Sequence, residues 1–256
     1  MKNISIITIA NNKEVYNSFV DNLLKQKNVN AQLLTVYNYN NTFKSAVEAY
    51  NSILKEVKYS LIIFCHPDIR FLDNNSLLNI VEQVEQLNDY GVVGIAGASA
   101  SEIYKSKPIV YTSIIQGVRR QHIGVQISSP MIVQTLDECF FLTSRSNLES
   151  IRLSEIKGTE CIKEKWHLYC VNYCLKMIKN GKNNYVLPSR VWHLSDGHGG
   201  NWVDYMLILE KLIYNEKNNF DIIYTTIKAW KTSGILSYAY RKYYIIKQFF
   251  RNIIYG

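Results

Sequence analysis

The chain has 256 residues, 47% of them hydrophobic and 20% charged, a composition that supports a substantial buried core and excludes a disordered protein. No apolar run approaches the roughly 20 residues of a spanning helix, and Met1-Lys2-Asn3-Ile4 leads straight into a strand-like segment, so a cytoplasmic protein is expected. The net charge of +8 is uneven: no acidic residue follows Asp221, and Lys228, Lys231, Arg241, Lys242, Lys247 and Arg251 leave only +2 for everything before.

In chain order, Ile4 to Ile9 is a short apolar run, and Val15, Phe19, Val20, Leu23 and Leu24 then recur at helical spacing. Ala31 to Tyr37 predicts a second strand. Phe43, Ala46, Val47, Tyr50, Ile53 and Leu54 mark one face of a helix leading to Tyr59. From there Leu61 to Phe64 has no polar side, as in a strand buried on both faces, and it ends abruptly in His66-Pro67-Asp68. Pro67 donates no backbone hydrogen bond and biases His66 towards an extended conformation, which stops the strand and fixes the two flanking side chains in relation to each other. Ligands of open α/β sheets collect beyond the carboxyl ends of such strands, although a Pro-Asp turn is also an ordinary way to end one. A helix marked by Leu77, Ile80, Val81, Val84 and Leu87 and a strand from Val92 to Ala96 follow, so the opening βαβαβαβ pattern predicts a parallel sheet covered by helices.

From about Ala98 the pattern breaks into short extended pieces punctuated by Gly97, Pro108, Gly117 and Gly124. Strand character resumes at Met131 to Thr135 and Cys139 to Thr143, around Leu136-Asp137-Glu138, and Ser144 is placed to cap a short helix. A helix is expected over about residues 164 to 180, stopped by Gly181. Tyr185 to Leu187 is a strand, and Val191-Trp192-His193 leads into a second polar cluster whose Gly197-His198-Gly199-Gly200 suits a loop that closes or simply links.

The order of these features resembles a family 2-type glycosyltransferase of the GT-A fold. The resemblance rests on the βα units, Asn51 in the helix before the third strand, Phe64-Cys65-His66-Pro67-Asp68-Ile69, Gly91-Val92-Val93-Gly94, Leu136-Asp137-Glu138-Cys139-Phe140-Phe141, Trp166-His167-Leu168-Tyr169 and the late His193. It covers roughly residues 1 to 205, in the branch where His-x-Asp replaces Asp-x-Asp. It implies an α/β, Rossmann-like, mostly parallel sheet flanked by helices, with a transferase domain over residues 1–215 and a basic, aromatic-rich helical extension over 216–256.

It further implies a nucleotide-sugar donor, a glycan or lipid-linked acceptor, and Mn²⁺ or Mg²⁺ beside the leaving diphosphate, in bacterial-type surface polysaccharide assembly. Asp68 and His193 are the candidate ligands, with His66 contributing directly or through water. His193 beside Trp192 also suits a satisfied core histidine. Thr8, Asn11, Asn12 and Asn38 are candidates for the base or ribose, Asn38 standing where relatives often carry aspartate; Asn11 and Asn12 also fit a turn and a helix cap. An inverting transfer needs a base, yet Tyr169-Cys170-Val171-Asn172 has no carboxylate where many relatives do. Asp137 is the first candidate, with Glu138 and His167 next. The missing carboxylate also admits a non-catalytic binding module on the same fold.

Two further patterns are ambiguous. His167, Cys170 and Cys174 at helical spacing, with Cys161 nearby, admit a structural zinc, but an odd count of five cysteines without paired CxxC knuckles fits reduced, buried thiols better. In the tail, Tyr243, Ile245, Ile246, Phe249, Phe250 and Ile253 share one side of a helix, with Arg241, Lys247 and Arg251 opposite and Lys242 out of place. That suits contact with the inner face of the plasma membrane, or a partner, or a closing core helix; no nucleic-acid motif is present.

Overall fold

The structure is a computed structural model describing residues 1–103, 106–196 and 202–255, with side chains up to residue 247. The Gly197-His198-Gly199-Gly200 loop lies outside the described residues.

Strand β1 (Lys2–Ala10), helix α1 (Lys13–Leu23), strand β2 (Val29–Tyr37), helix α2 (Ala46–Ile53) and strand β3 (Leu61–Cys65) form the expected opening, with β1 parallel to both β2 and β3. Asn12 starts α1 by accepting the amides of Glu14 and Val15, and Ser45 starts α2 by accepting that of Glu48. Then come β4 (Ile69–Phe71), α3 (Ser76–Glu85), β5 (Tyr90–Gly94) and β6 (Ala96–Ala100). The meander comprises β7 (Pro108–Thr112), β8 (Ile114–Gln116), β9 (Gln121–His122), β10 (Val125–Gln126), β11 (Met131–Val133) and β12 (Thr135–Leu136). The chain continues through β13 (Phe140–Ser144), α4 (Arg145–Ser150), α5 (Tyr169–Lys179), β14 (Asn183–Val186), β15 (Val191–His193) and α6 (Trp202–Glu216), and ends with β16 (Ile222–Tyr224), β17 (Ala229–Lys231) and α7 (Ile235–Tyr255).

The main sheet has seven strands in the order β11-β14-β5-β13-β3-β1-β2. It is mostly parallel, but β11 pairs antiparallel with β14 at one edge and β13 runs antiparallel between β3 and β5, so the strand at Tyr90–Gly94 does not pair with β3 as a simple fourth βα unit would. Alternate β3 side chains enter opposite layers: Ile63 and Cys65 meet α1 and α3, whereas Ile62 and Phe64 meet α2 and α5. This double burial is why the segment reads as a continuous apolar run. Phe64 stacks on Phe141 of β13 with centroids 4.7 Å apart, while Tyr50 meets Phe64 edge-on at 4.8 Å.

Helix α5 begins at Tyr169, not near residue 164. The preceding residues are used in extended pairing over the start of α2, where the Lys165 amide donates to the Lys44 carbonyl at 2.7 Å and that of Ala46 to the Lys165 carbonyl at 3.2 Å. Once formed, α5 is buried on both sides, with Tyr173 and Cys174 towards the sheet and Val171 and Leu175 towards α6. Residues beyond 215 contribute a two-stranded hairpin as well as a helix: Ile223 and Trp230 close the α5–α6 cluster, and Gln134 clamps β16 through the Ile222 carbonyl and the Tyr224 amide. No helix among the described residues is long and apolar enough to cross a membrane.

Gly91 on β5 gives a direct stability test. A Cβ there would sit 2.5 Å from Met177 Cβ on α5, and α5 is held by packing on both sides. Gly91→Ala is expected to cost about 1 to 3 kcal/mol of unfolding free energy, read as a lower denaturant midpoint with an unchanged slope.

Candidate active site

Strand β3 delivers the first cluster. Pro67 ends it as expected, the His66 amide is held by the Cys139 carbonyl at 2.9 Å, and the Ile69 amide returns to the His66 carbonyl at 3.2 Å to close the turn. Arg70, a buried cation within β4, ties that turn down by donating to the carbonyls of Pro67 and Ile69 at 2.8 and 2.7 Å and to that of Val15 on α1 at 3.2 Å. β15 then pairs antiparallel with β4, setting His193 opposite Ile69 and bonding the Leu194 amide to the Asp68 carbonyl at 3.0 Å.

Two short strands thus bring together residues far apart in sequence. His193 Nε2 lies 3.2 Å from Asp68 Oδ2, and one potential ligand atom from each of His66, Asp68 and His193 lies within 4.8 Å of the others. Asp68 Oδ1 is buried with no hydrogen-bond partner among the described residues. Burial works to raise the Asp68 pKa, but the bond and charge of His193, aided by His66, outweigh it and hold the carboxylate below its usual range. Burial likewise works to lower the His193 pKa and is outweighed by Asp68, so His193 ends up raised. His66 ends lowered, chiefly by burial, which favours neutral imidazole with a free lone pair.

The second cluster follows β12. Both Asp137 oxygens are engaged: Oδ1 accepts the Cys139 amide at 3.0 Å and Oδ2 the Thr226 hydroxyl at 3.1 Å, from the turn between β16 and β17. Glu138 has Oε1 buried and unpartnered among the described residues and Oε2 3.9 Å from His167 Nδ1. Burial, and then the Asp137 charge, push its pKa well above the usual range, against the opposing pull of the Leu168, Tyr169 and Cys170 amides at the start of α5. Leu168 holds a left-handed φ of 65° at this junction, a strained conformation for a branched side chain next to a functional candidate. His167 precedes α5 and packs edge-on against Tyr205 of α6 at 5.8 Å; burial lowers its pKa. The Tyr169 hydroxyl bridges the clusters, 3.4 Å from both His66 Nε2 and the Glu138 carbonyl.

The donor candidates divide. Thr8 is buried on β1, its hydroxyl unpartnered among the described residues. Asn11 is exposed just past β1, and Asn12 spends its side-chain oxygen capping α1. Asn38 is buried beyond β2, bonded through its own amide to the Ala10 carbonyl and through its side chain to both backbone groups of Phe43. These residues share the carboxyl edge of β1 and β2. Asn51 is engaged elsewhere, donating to the Leu153 carbonyl at 3.1 Å.

The zinc pattern dissolves, because His167 is outside the helix, Cys161 is exposed, and Cys170 and Cys174 are buried. Arg70 and Thr226 are not among the sequence candidates, and Tyr169 stands there only as part of a motif. Arg70 had a signal, a charge between Ile69 and Phe71; Thr226 had none, since only the fold carries the hairpin to Asp137.

A mostly parallel sheet that presents a His-x-Asp turn and a late histidine at its carboxyl edge defines an α/β fold of the GT-A glycosyltransferase type. The chain belongs to the glycosyltransferase-like family, whose model matches residues 5–206. Among solved structures it is similar to S. aureus TarS in complex with UDP-GlcNAc, at TM-score 0.56 and 12% identity over 86% of this chain and 68% of that one. It is also similar to a mannosyltransferase from Pyrobaculum calidifontis in complex with GDP-Man and Mn²⁺, at TM-score 0.54 and 11% identity over 85% of this chain. The chain spans 64% of that mannosyltransferase, less than two thirds of its length. No curated protein matches the chain.

Proposed function

We propose that the protein transfers a sugar, with inversion, from a nucleotide-sugar donor to a glycan or lipid-linked acceptor in bacterial-type surface polysaccharide assembly, working at the inner face of the plasma membrane. The observation that carries the metal-assisted form of this reading is the Asp68 carboxylate, half-buried beside two imidazoles with one oxygen buried and unpartnered among the described residues. One carboxylate and two imidazoles fit Mn²⁺ better than Mg²⁺, so Asp68, His193 and His66 would hold the ion. Such an ion supplies charge stabilisation to a departing nucleoside diphosphate.

The remaining work falls to side chains. Asn11, exposed just past β1, receives the nucleoside, while the buried Asn38 holds the loop beside it through both backbone groups of Phe43. Glu138 takes the acceptor's hydroxyl proton as that oxygen attacks the anomeric carbon and the diphosphate departs from the opposite face. What supports Glu138 over Asp137 is that one of its oxygens is unpartnered while both of Asp137's are used. The α5 sequence lacks a carboxylate, and Glu138 brings one to the start of that helix from the neighbouring strand connection. This weakens the case for a binding module.

A panel of nucleotide sugars screened by thermal shift tests the reading. One donor is expected to raise the melting temperature with Mn²⁺ and not with chelator. No shift from any of them with Mn²⁺ present would sink the proposal.

The pH dependence of Mn²⁺ binding has a definite sign. The His193 pKa is raised, so below that raised value a proton must leave before the nitrogen can ligate. Mn²⁺ affinity is expected to fall about tenfold per pH unit on the acid side, where one proton is displaced, and to level off above it. Titration calorimetry across pH measures this, and a flat profile through the histidine range would remove His193 from the ligand set.

A further inference from the structure

The last helix is oriented by Arg241. Its side chain is only 4% exposed, ion-paired with Glu210 of α6 and donating to the Lys231 carbonyl at 2.7 Å and the Ser237 hydroxyl at 2.9 Å. Tyr244 and Ile245 pack partly buried against the α5–α6 cluster on the same side. The charged edge marked by Arg241 therefore faces the protein. The outward side carries Ile235, Leu236, Tyr243 and Ile246, which are 86%, 85%, 60% and 55% exposed, with Ala239 between them. At about 100° per residue, Lys242 and Lys247 border this stripe on either side, within an arc of about 140°. The adjoining β16–β17 turn adds exposed Ile227 and half-buried Lys228, whose Nζ donates to the Tyr240 hydroxyl at 2.6 Å and lies 4.0 Å from that ring's centroid.

We infer that the outward side of α7 and the β16–β17 turn form a docking surface for an anionic lipid bilayer. Aliphatic and tyrosine side chains bordered by lysines, on a segment with no carboxylate after Asp221, match acyl chains beneath anionic headgroups. A second copy of the same face would set lysine against lysine, which disfavours self-association. The docking turn also reaches the site, since Thr226, next to Ile227, donates to Asp137. A bilayer held there presents a lipid-borne acceptor beside Asp137 and Glu138; this last step rests on the transferase reading, whereas the docking surface does not.

Sedimentation with phosphatidylcholine vesicles, with and without phosphatidylglycerol, tests the surface. The wild-type chain is expected to pellet with the anionic vesicles, and less so as salt rises. The triple variant Leu236→Asp, Tyr243→Asp, Ile246→Asp is expected to lose at least about tenfold in partitioning, and Lys242→Glu with Lys247→Glu about tenfold on anionic vesicles alone. All five positions lie on the outward side, so circular dichroism and the Mn²⁺-dependent donor shift are expected to stay as in wild type. Wild-type protein that remains in the supernatant, or a triple variant that pellets equally, overturns the surface. A wild-type dimer that the triple variant dissociates overturns it in favour of a second copy. Absence of any donor shift in wild type removes the transferase reading and leaves the sedimentation result standing, so the two failures are separable.

Discussion

Asp68→Ala is expected to abolish Mn²⁺-dependent donor binding and lower transfer by about a thousandfold, with little loss of folding stability. The size follows from the several kcal/mol a metal contributes to charge developing on a leaving group, at about 1.4 kcal/mol per tenfold in rate. The stability expectation follows from position. Asp68 lies in a turn between β3 and β4, and that turn is held by the Cys139 carbonyl and by Arg70, neither of which uses the Asp68 carboxylate. Removing the carboxylate leaves His193 without its ion-pair partner, but burial then drives that imidazole neutral, so no uncompensated charge remains inside. Calorimetry with Mn²⁺ and donor, beside a denaturant melt, reads both halves. Wild-type Mn²⁺-dependent affinity in this variant would end the metal-site proposal.

Glu138→Gln is expected to keep donor affinity and lose roughly 10² to 10⁴ in turnover, the span typical of a general base. The amide keeps the shape but takes no proton at neutral pH. Asp137→Asn has a different expected signature. Burial is the largest influence raising the Glu138 pKa and the Asp137 charge the next, so neutralising Asp137 lowers that pKa and moves the acid limb of the pH–rate profile to lower pH. A profile unmoved by Asp137→Asn separates the two groups. A loss in Asp137→Asn equal to that of Glu138→Gln, with donor affinity intact in both, returns the base to Asp137, and the same result in His167→Ala moves it there.

Much of the site was legible because it sits where local rules act. An apolar strand broken by proline marks His66 and Asp68 at the carboxyl edge of a sheet, and the chain's order of motifs pointed to His193 as their companion. The partnership itself, His193 Nε2 at 3.2 Å from Asp68, depends on β15 pairing back onto β4, a contact between residues more than a hundred positions apart. The helix carrying Trp166-His167-Leu168-Tyr169 starts later than its spacing predicts because Lys165 commits its amide to the Lys44 carbonyl and its carbonyl to the Ala46 amide. Periodicity reports a preference, and long-range hydrogen bonds can override it.

The sequence by itself determined the alternating strands and helices, the double-sided burial of Leu61 to Phe64, the caps at Asn12 and Ser144, and the breaks at Pro67 and Gly181, because each depends on a few adjacent residues. Only the tertiary structure decided that β13 enters the sheet antiparallel, that the Glu138 carboxylate lies against the amides at the start of α5, and that Ile235, Leu236, Tyr243 and Ile246 of α7 face outward while Ile245 packs inward. A helical wheel gives the angle between Arg241 and Ile246 but not which of them meets the protein. That was settled by Glu210 and the Lys231 carbonyl, which offer the guanidinium a buried anion and an acceptor that an isoleucine cannot use.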